Sequence, residues 1–147
     1  MLSAYPKHQA QGATLKSSVW VDLLDPTEAE RSAFQDAFGL RVPVREQLAE
    51  IEATSRLRTE CDALYMTAPL IFAGKDIPWV LLPTGFVLAK HVLLTVRFAK
   101  SPAFDSVSAE LEASEQFDSA HAFMRLLEVL VDNMADLLEA SAGDLDD

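Results

Sequence analysis

The sequence predicts an α/β fold, a mixed sheet covered by helices (an α/β/α sandwich), running into the start of a long C-terminal helix. Three observations carry this expectation. The apolar pattern changes in the order strand, helices, several strands, helices. The first candidate helix opens and closes on capping residues, and the segment from Ser119 onward is amphipathic at helical spacing. A length of 147 residues, half of them apolar, suits one domain with a sizeable core. The chain divides into a flexible lead (1–18), an α/β domain (19–118) and the beginning of a long amphipathic helix (119–147).

Residues 1–18 mix Ser, Gln, Gly, Lys and Pro without apolar periodicity and are expected to be poorly ordered. Val19-Trp20-Val21-Asp22-Leu23-Leu24 is β-branched and aromatic and ends at Asp25-Pro26, the pattern of a buried strand. Asp25 is suited to N-cap, with Pro26 at the first helical position and Glu28 completing a capping box. Ala29, Ala33, Phe34, Ala37 and Phe38 supply an apolar face, with Phe34 and Phe38 expected to bury against the sheet. Gly39 can take the left-handed conformation that ends the helix. Pro43 is expected to open a shorter helix containing Val44, Leu48 and Ile51.

From Ser55 the chain turns to short apolar segments, with strands expected near 56–60, 63–73, 79–82, 86–90 and 92–98. The last two flank Lys90-His91 as a tight hairpin would, although Lys-His departs from the usual turn residues. After Pro102 a helix is expected over Phe104 to Phe117, and a longer one from Ser119 to about Ser141, with Ser119 as a suitable cap. In the longer helix Phe123, Leu127, Leu130, Met134 and Leu137 form an apolar seam, while Glu128, Asp132, Asp136 and Glu139 follow one another on a different face.

Charge and composition exclude several function classes. The net charge of −11 argues against a nucleic-acid partner, because phosphate binding needs clustered Lys and Arg. Residues 1–104 carry 11 acidic and 11 basic side chains, whereas residues 105–147 carry 12 acidic ones and only Arg125. No stretch approaches the roughly 18 uninterrupted apolar residues of a membrane helix. Ile77 to Val96 is broken by Pro78, Pro83, Gly85, Lys90 and His91. The N-terminus lacks the apolar core of a secretory signal, and one cysteine, Cys61, permits no intramolecular disulfide, so a reducing compartment is expected. Cys61 itself reads as a small buried hydrophobe in a strand-like context.

No Gly-x-Ser-x-Gly elbow, phosphate-binding glycine loop or His-Glu-x-x-His helix is present, and the chain is not expected to be an enzyme. Asp22 with Asp25, or Glu60 with Asp62, could form acid/base pairs, but capping accounts for Asp25. His8, His91 and His121 with Cys61 lack the close-spaced ligand pair of a structural zinc site.

Three segments stand out: Trp20-Val21-Asp22-Leu23 with the Pro26 helix and Phe38-Gly39-Leu40; Asp62-Ala63-Leu64-Tyr65-Met66 with the hairpin ending Val92-Leu93-Leu94-Thr95-Val96-Arg97; and Leu126-Leu127-Glu128-Val129-Leu130-Val131-Asp132-Asn133. Together they resemble the N-terminal cytoplasmic domain of the CorA family of magnesium and cobalt channels, the last being similar to the start of the family's stalk helix. The resemblance implies a regulatory and assembly domain of a divalent-cation transporter (magnesium, cobalt or zinc) at the cytoplasmic face of the inner membrane. It implies a homo-oligomer, a pentamer when full-length, whose membrane contact runs only through a C-terminal segment absent here, with a Gly-Met-Asn signature at the pore mouth. It implies no cofactor beyond a regulatory Mg2+. In well-known members a Glu-Asp pair follows the turn after the first helix and its Asp helps hold that ion between subunits. The matching pair here is Glu46-Gln47, which leaves Glu46 as the candidate ligand and replaces the stronger carboxylate by a neutral amide.

The acidic stripe offers Asp132 and Asp136 as further metal candidates, since carboxylate oxygens suit magnesium. A solvated helix face is the simpler reading of the stripe. The alternative function is a free-standing interaction module using the C-terminal amphipathic helix. A third is a small α/β enzyme, which would need a pocket with convergent polar groups.

Overall fold

A computed structural model of the chain describes residues 1–6, 15–49, 57–72, 79–114 and 116–146. Six strands form one mixed sheet: β1 (Leu2–Tyr5), β2 (Trp20–Leu24), β3 (Leu57–Glu60), β4 (Ala63–Phe72), β5 (Val80–Leu88) and β6 (Leu93–Arg97). Their spatial order is β1-β2-β6-β5-β4-β3, with only β2 and β6 parallel. Four helices cover it: α1 (Glu28–Phe38), α2 (Arg45–Leu48), α3 (Pro102–Ala113) and α4 (Ser119–Asp146).

Side chains alternate across the sheet, so the strands other than the exposed edge strand β3 feed two cores. Val21, Leu23, Val87, Leu94 and Val96 pack against Phe34 of α1 and Leu48 of α2. Trp20, Phe86 and Leu93 pack against Phe104, Val107 and Leu111 of α3 and Ala122, Leu126 and Leu130 of α4. Helices therefore lie on both faces, the expected α/β/α arrangement. Gly85 lets α2 approach the sheet: a Cβ there would stand 2.9 Å from Leu48 Cδ2.

Several expectations need correction. The lead is not uniformly without structure, since Leu2–Tyr5 adds an antiparallel edge strand to β2, with Tyr5 and Trp20 rings 4.9 Å apart. The boundary at 118 runs through the core, because the first turns of α4 bury Ala122, Leu126 and Leu130. Asp25 is not the cap of α1. It sits at φ 45° and its N–H donates to Arg97 O, continuing the β2–β6 pairing, so the helix cannot begin until Thr27. Thr27 then forms the capping box with Glu30, and Pro26 precedes the cap. Gly39 takes the expected left-handed conformation, with φ 67°, and its N–H donates to Gln35 O. Phe38 is only half-buried, unlike Phe34. Pro43 precedes α2 without opening it, and Ile51 lies outside the described residues.

The segments 79–82 and 86–90 are one strand, β5, continuous through Pro83 and Gly85. The hairpin at Lys90-His91 forms, closed by Ala89 N–H donating to Val92 O at 2.9 Å. Its unusual turn sequence is held from outside: the Ser119 hydroxyl lies 2.9 Å from Ala89 O and 3.1 Å from Lys90 O. Ser119 is thus a tertiary donor, and Asp118 caps α4, accepting from His121 N at 2.7 Å. α3 begins at Pro102 and ends at Ala113, short of Phe117. The buried face of α4 is rotated from the expected seam to Ala122, Leu126 and Leu130, leaving Met124, Val131 and Leu138 exposed.

Cys61 is exposed rather than buried, and with Asp62 it forms the two-residue turn between β3 and β4. Both residues have positive φ (50° and 60°), the geometry of the hairpin turn that favours Asn-Gly. Asp62→Gly should therefore stabilise the chain by about 0.5–1 kcal/mol, since glycine relieves the left-handed strain. A rise in the urea midpoint at unchanged slope is the expected reading; a fall would show that the Asp62 side chain contributes more than its backbone costs.

Candidate functional site

Glu46 and Gln47 lie on α2, and Asp132 and Asp136 on α4. Glu46, Asp132 and Asp136 are all exposed. The two helices pack on opposite faces of the sheet, so a single chain does not bring Glu46 to Asp132 and Asp136, which stand one turn apart on α4. Among the described residues, no group of three His, Cys, Asp or Glu side chains is placed to hold a metal ion. Glu128, in the same stripe, is engaged by Arg125, which also reaches back to Glu110 on α3 at 2.8 Å. These two carboxylates, Glu110 first, hold the Arg125 guanidinium above its ordinary pKa.

The surroundings of Gln47 are cationic. Its Oε1 accepts from Arg41 Nη1 at 2.7 Å and from Val44 N at 3.2 Å, closing the first turn of α2. Arg41 also pairs with Glu60 at 3.0 Å and, with Arg58, stacks on the Tyr65 ring at 5.3 and 5.5 Å. Pro43, Gln47, Leu48, Arg58 and Tyr65 line a cavity of about 60 Å³. The Arg41 hydrogen bond holds the Glu60 carboxyl below its usual value. A divalent cation bound at Gln47 would compete with Arg41 for the same oxygen.

Burial, reinforced by the Glu60 charge, pushes the Tyr65 phenol above its ordinary pKa, while its hydroxyl donates to Arg41 O at 2.9 Å. The folded state thus favours the protonated phenol. Its contribution is complete below the unfolded pKa of about 10 and is lost as pH rises through the higher folded value. Tyr65→Phe should flatten this alkaline loss. Urea midpoints of both proteins at pH 8 and above check it, and parallel declines would contradict it.

Sequence reasoning missed the buried polar cluster under α3. Arg97 makes a bidentate contact with Asp22, with Nη2 at 2.8 Å from Oδ2, and stacks 4.3 Å from the centre of Phe104. Thr95 Oγ1 donates to Asp22 Oδ1 at 2.7 Å and accepts from Trp20 Nε1 at 3.0 Å. Asp22 is therefore an ion-pair partner within the core, not half of an acid/base pair with Asp25. The available signal was the polar alternation Thr95, Arg97 on one face of an otherwise apolar strand.

A six-stranded mixed sheet with helices on both faces, and a long final helix leaving from the α3 side, defines the class of protein. It is the fold of the soluble domain of CorA from Methanocaldococcus jannaschii, with a TM-score of 0.70 at 16% identity, covering 86% of this chain and 52% of that one. The ZntB cytoplasmic domain from Vibrio parahaemolyticus also matches, with a TM-score of 0.59 at 18% identity over 85% of this chain and 53% of that one. At these identities both likenesses are of fold alone.

The family model described as CorA-like Mg2+ transporter protein matches residues 16–147, and the chain belongs to that family. The magnesium transport protein CorA of Wolinella succinogenes is 28% identical over 132 residues, covering 86% of this chain and 41% of that protein. The chain spans less than half the length of the curated relatives it matches. No helix among the described residues is long and apolar enough to cross a membrane.

Proposed function

We infer that the chain is the cytoplasmic regulatory and assembly domain of a divalent-cation transporter, positioned at the inner face of the membrane. The family match over residues 16–147 carries this reading. Magnesium is the ion named for the curated relatives, and it is the cation assigned to this transporter first. The domain works by changing its arrangement with its copies, since a ligand shifts such an equilibrium only by binding one arrangement better than another.

In this reading Glu46, Asp132 and Asp136 are ligands shared between copies, because within one chain α2 and α4 occupy opposite faces of the sheet. Exposed carboxylates repel one another across an interface until a cation neutralises them. Sedimentation velocity at fixed ionic strength, first with EDTA and then with millimolar Mg2+, tests it. Association should rise with Mg2+ and lose that response in Asp132→Asn/Asp136→Asn. An identical distribution with and without Mg2+ would remove the sensor reading, and two apolar segments of about 20 residues downstream in the gene would support the transporter reading independently. Gln47→Asp should add to the response only when Arg41 is also replaced, because Arg41 otherwise captures the new carboxylate.

A further inference from the structure

A cleft of about 280 Å³ opens where the end of β4, the β6–α3 junction and the second half of α4 meet. Ile71 and Phe72 of β4 and Leu137 of α4 give it an apolar lining, while Lys100 and Ser101 come from the two residues before α3 and Asn133 and Asp136 from α4. Ser101 is only 8% exposed, yet its hydroxyl does not cap α3 and has no hydrogen bond among the described residues. The Ala103 and Phe104 N–H groups consequently lack a capping side chain at Ser101, Pro102 having no N–H and Asp105 N–H donating to Ser101 O at 3.3 Å. Neither Lys100 nor Asp136 makes an ion pair among the described residues.

These groups specify a ligand. The helix start, the Ser101 hydroxyl at the cleft wall and the Lys100 ammonium together suit one anionic group. A simple anion would leave Asp136 opposed to its charge, and a simple cation would be opposed by Lys100. A molecule carrying both charges meets both. The volume lies just below the roughly 300–1,000 Å³ of drug-sized ligand pockets, too small for a nucleotide.

We propose that this cleft binds a small zwitterion with an apolar body, of the chemical class of the apolar α-amino acids. Its carboxylate is received by Lys100, Ser101 and the N-terminus of α3, and its ammonium by Asp136 and the Asn133 side-chain carbonyl. Its hydrocarbon part rests against Ile71, Phe72 and Leu137. An occupant would tie the start of α3 to the second half of α4 and so fix the direction in which α4 leaves the sheet. This inference shares only Asp136 with the ion-transport reading, so a divalent cation held there would compete with the ammonium, and the titrations are run in EDTA to keep the two readings apart.

The test is isothermal titration calorimetry of the chain with L-leucine and L-phenylalanine, beside 4-methylpentanoate and 3-methylbutylamine, which each keep one of the two charges. Saturable binding of at least one amino acid is expected, with each single-charge analogue about tenfold weaker or worse. Lys100→Met and Asp136→Asn should each weaken binding by a similar factor, and Leu137→Trp should abolish it by filling the cleft. Circular dichroism melts confirm that the variants fold. Amide shifts of the parent at Ala103, Phe104 and Asp136 on addition of the amino acid give a reading that needs no variant. No saturation by either amino acid up to about 10 mM, analogues that bind as tightly, unchanged affinity in both charge variants, or shifts confined to other regions would each overturn the proposal.

Discussion

Arg97→Ala should lower stability by about 3–5 kcal/mol, among the largest losses available to a single substitution in this chain. The guanidinium and the Asp22 carboxylate are both almost wholly buried between the sheet and α3, and they meet at 2.8 Å. Removing the arginine leaves a carboxylate in the core with the Thr95 hydroxyl as its remaining side-chain donor, and it takes away the stacking on Phe104. Desolvation of an unpaired charge, not loss of the attraction itself, is the main cost. The double replacement Asp22→Leu/Arg97→Met, which removes both charges, should therefore recover most of the loss. Urea midpoints for the two single variants and the double one, at constant slope, measure the coupling. A cost below about 1 kcal/mol for Arg97→Ala would show that water reaches the pair.

The parts of the fold written in local patterns were legible in the sequence. The Trp20 strand, the Gly39 helix end and the β5–β6 hairpin each depend on residues close together in the chain. What was hidden depends on distant partners. Leu2–Tyr5 is too short to show a period, and it becomes a strand only because β2 offers it a free edge. Two overlapping boxes, Asp25-x-x-Glu28 and Thr27-x-x-Glu30, compete for the start of α1, and the choice is made by Arg97 O drawing Asp25 into the sheet. Ser119 resembles a cap but is needed at the Lys90-His91 turn across the domain.

The candidate sites divide in the same way. Glu46, Asp132 and Asp136 were found by residue type, which says nothing about convergence, and the sheet separates α2 from α4. Lys100, Ser101 and Pro102 read only as the end of a strand region. Their relation to Asn133 and Asp136 arises from the packing of α4, and no spacing in the sequence encodes it.

Phe34→Ala should cost about 3–5 kcal/mol, and Phe38→Ala distinctly less, although the two rings are one helical turn apart and only 4.8 Å from centre to centre. Phe34 is completely buried in the core that joins α1 to Val21, Leu23, Leu94 and Val96, so truncation opens a cavity with strands on one side and the helix on the other. The sheet cannot collapse into that space without breaking the β2–β6 pairing, which holds the two parallel strands in register. Phe38 lies beside the Gly39 end of α1 and is half-buried, so part of its loss is made good by solvent and by movement of the helix end. Equal costs for the two variants would mean that α1 packs along its whole length, and a larger cost for Phe38 would move the anchor of the helix from its centre to its C-terminus. Chemical unfolding of both variants beside the parent, read by tryptophan fluorescence, in which buried Trp20 carries the change because Trp79 is already exposed, would decide between them, because the core around Phe34 and the core around Trp20 are two faces of the same strand.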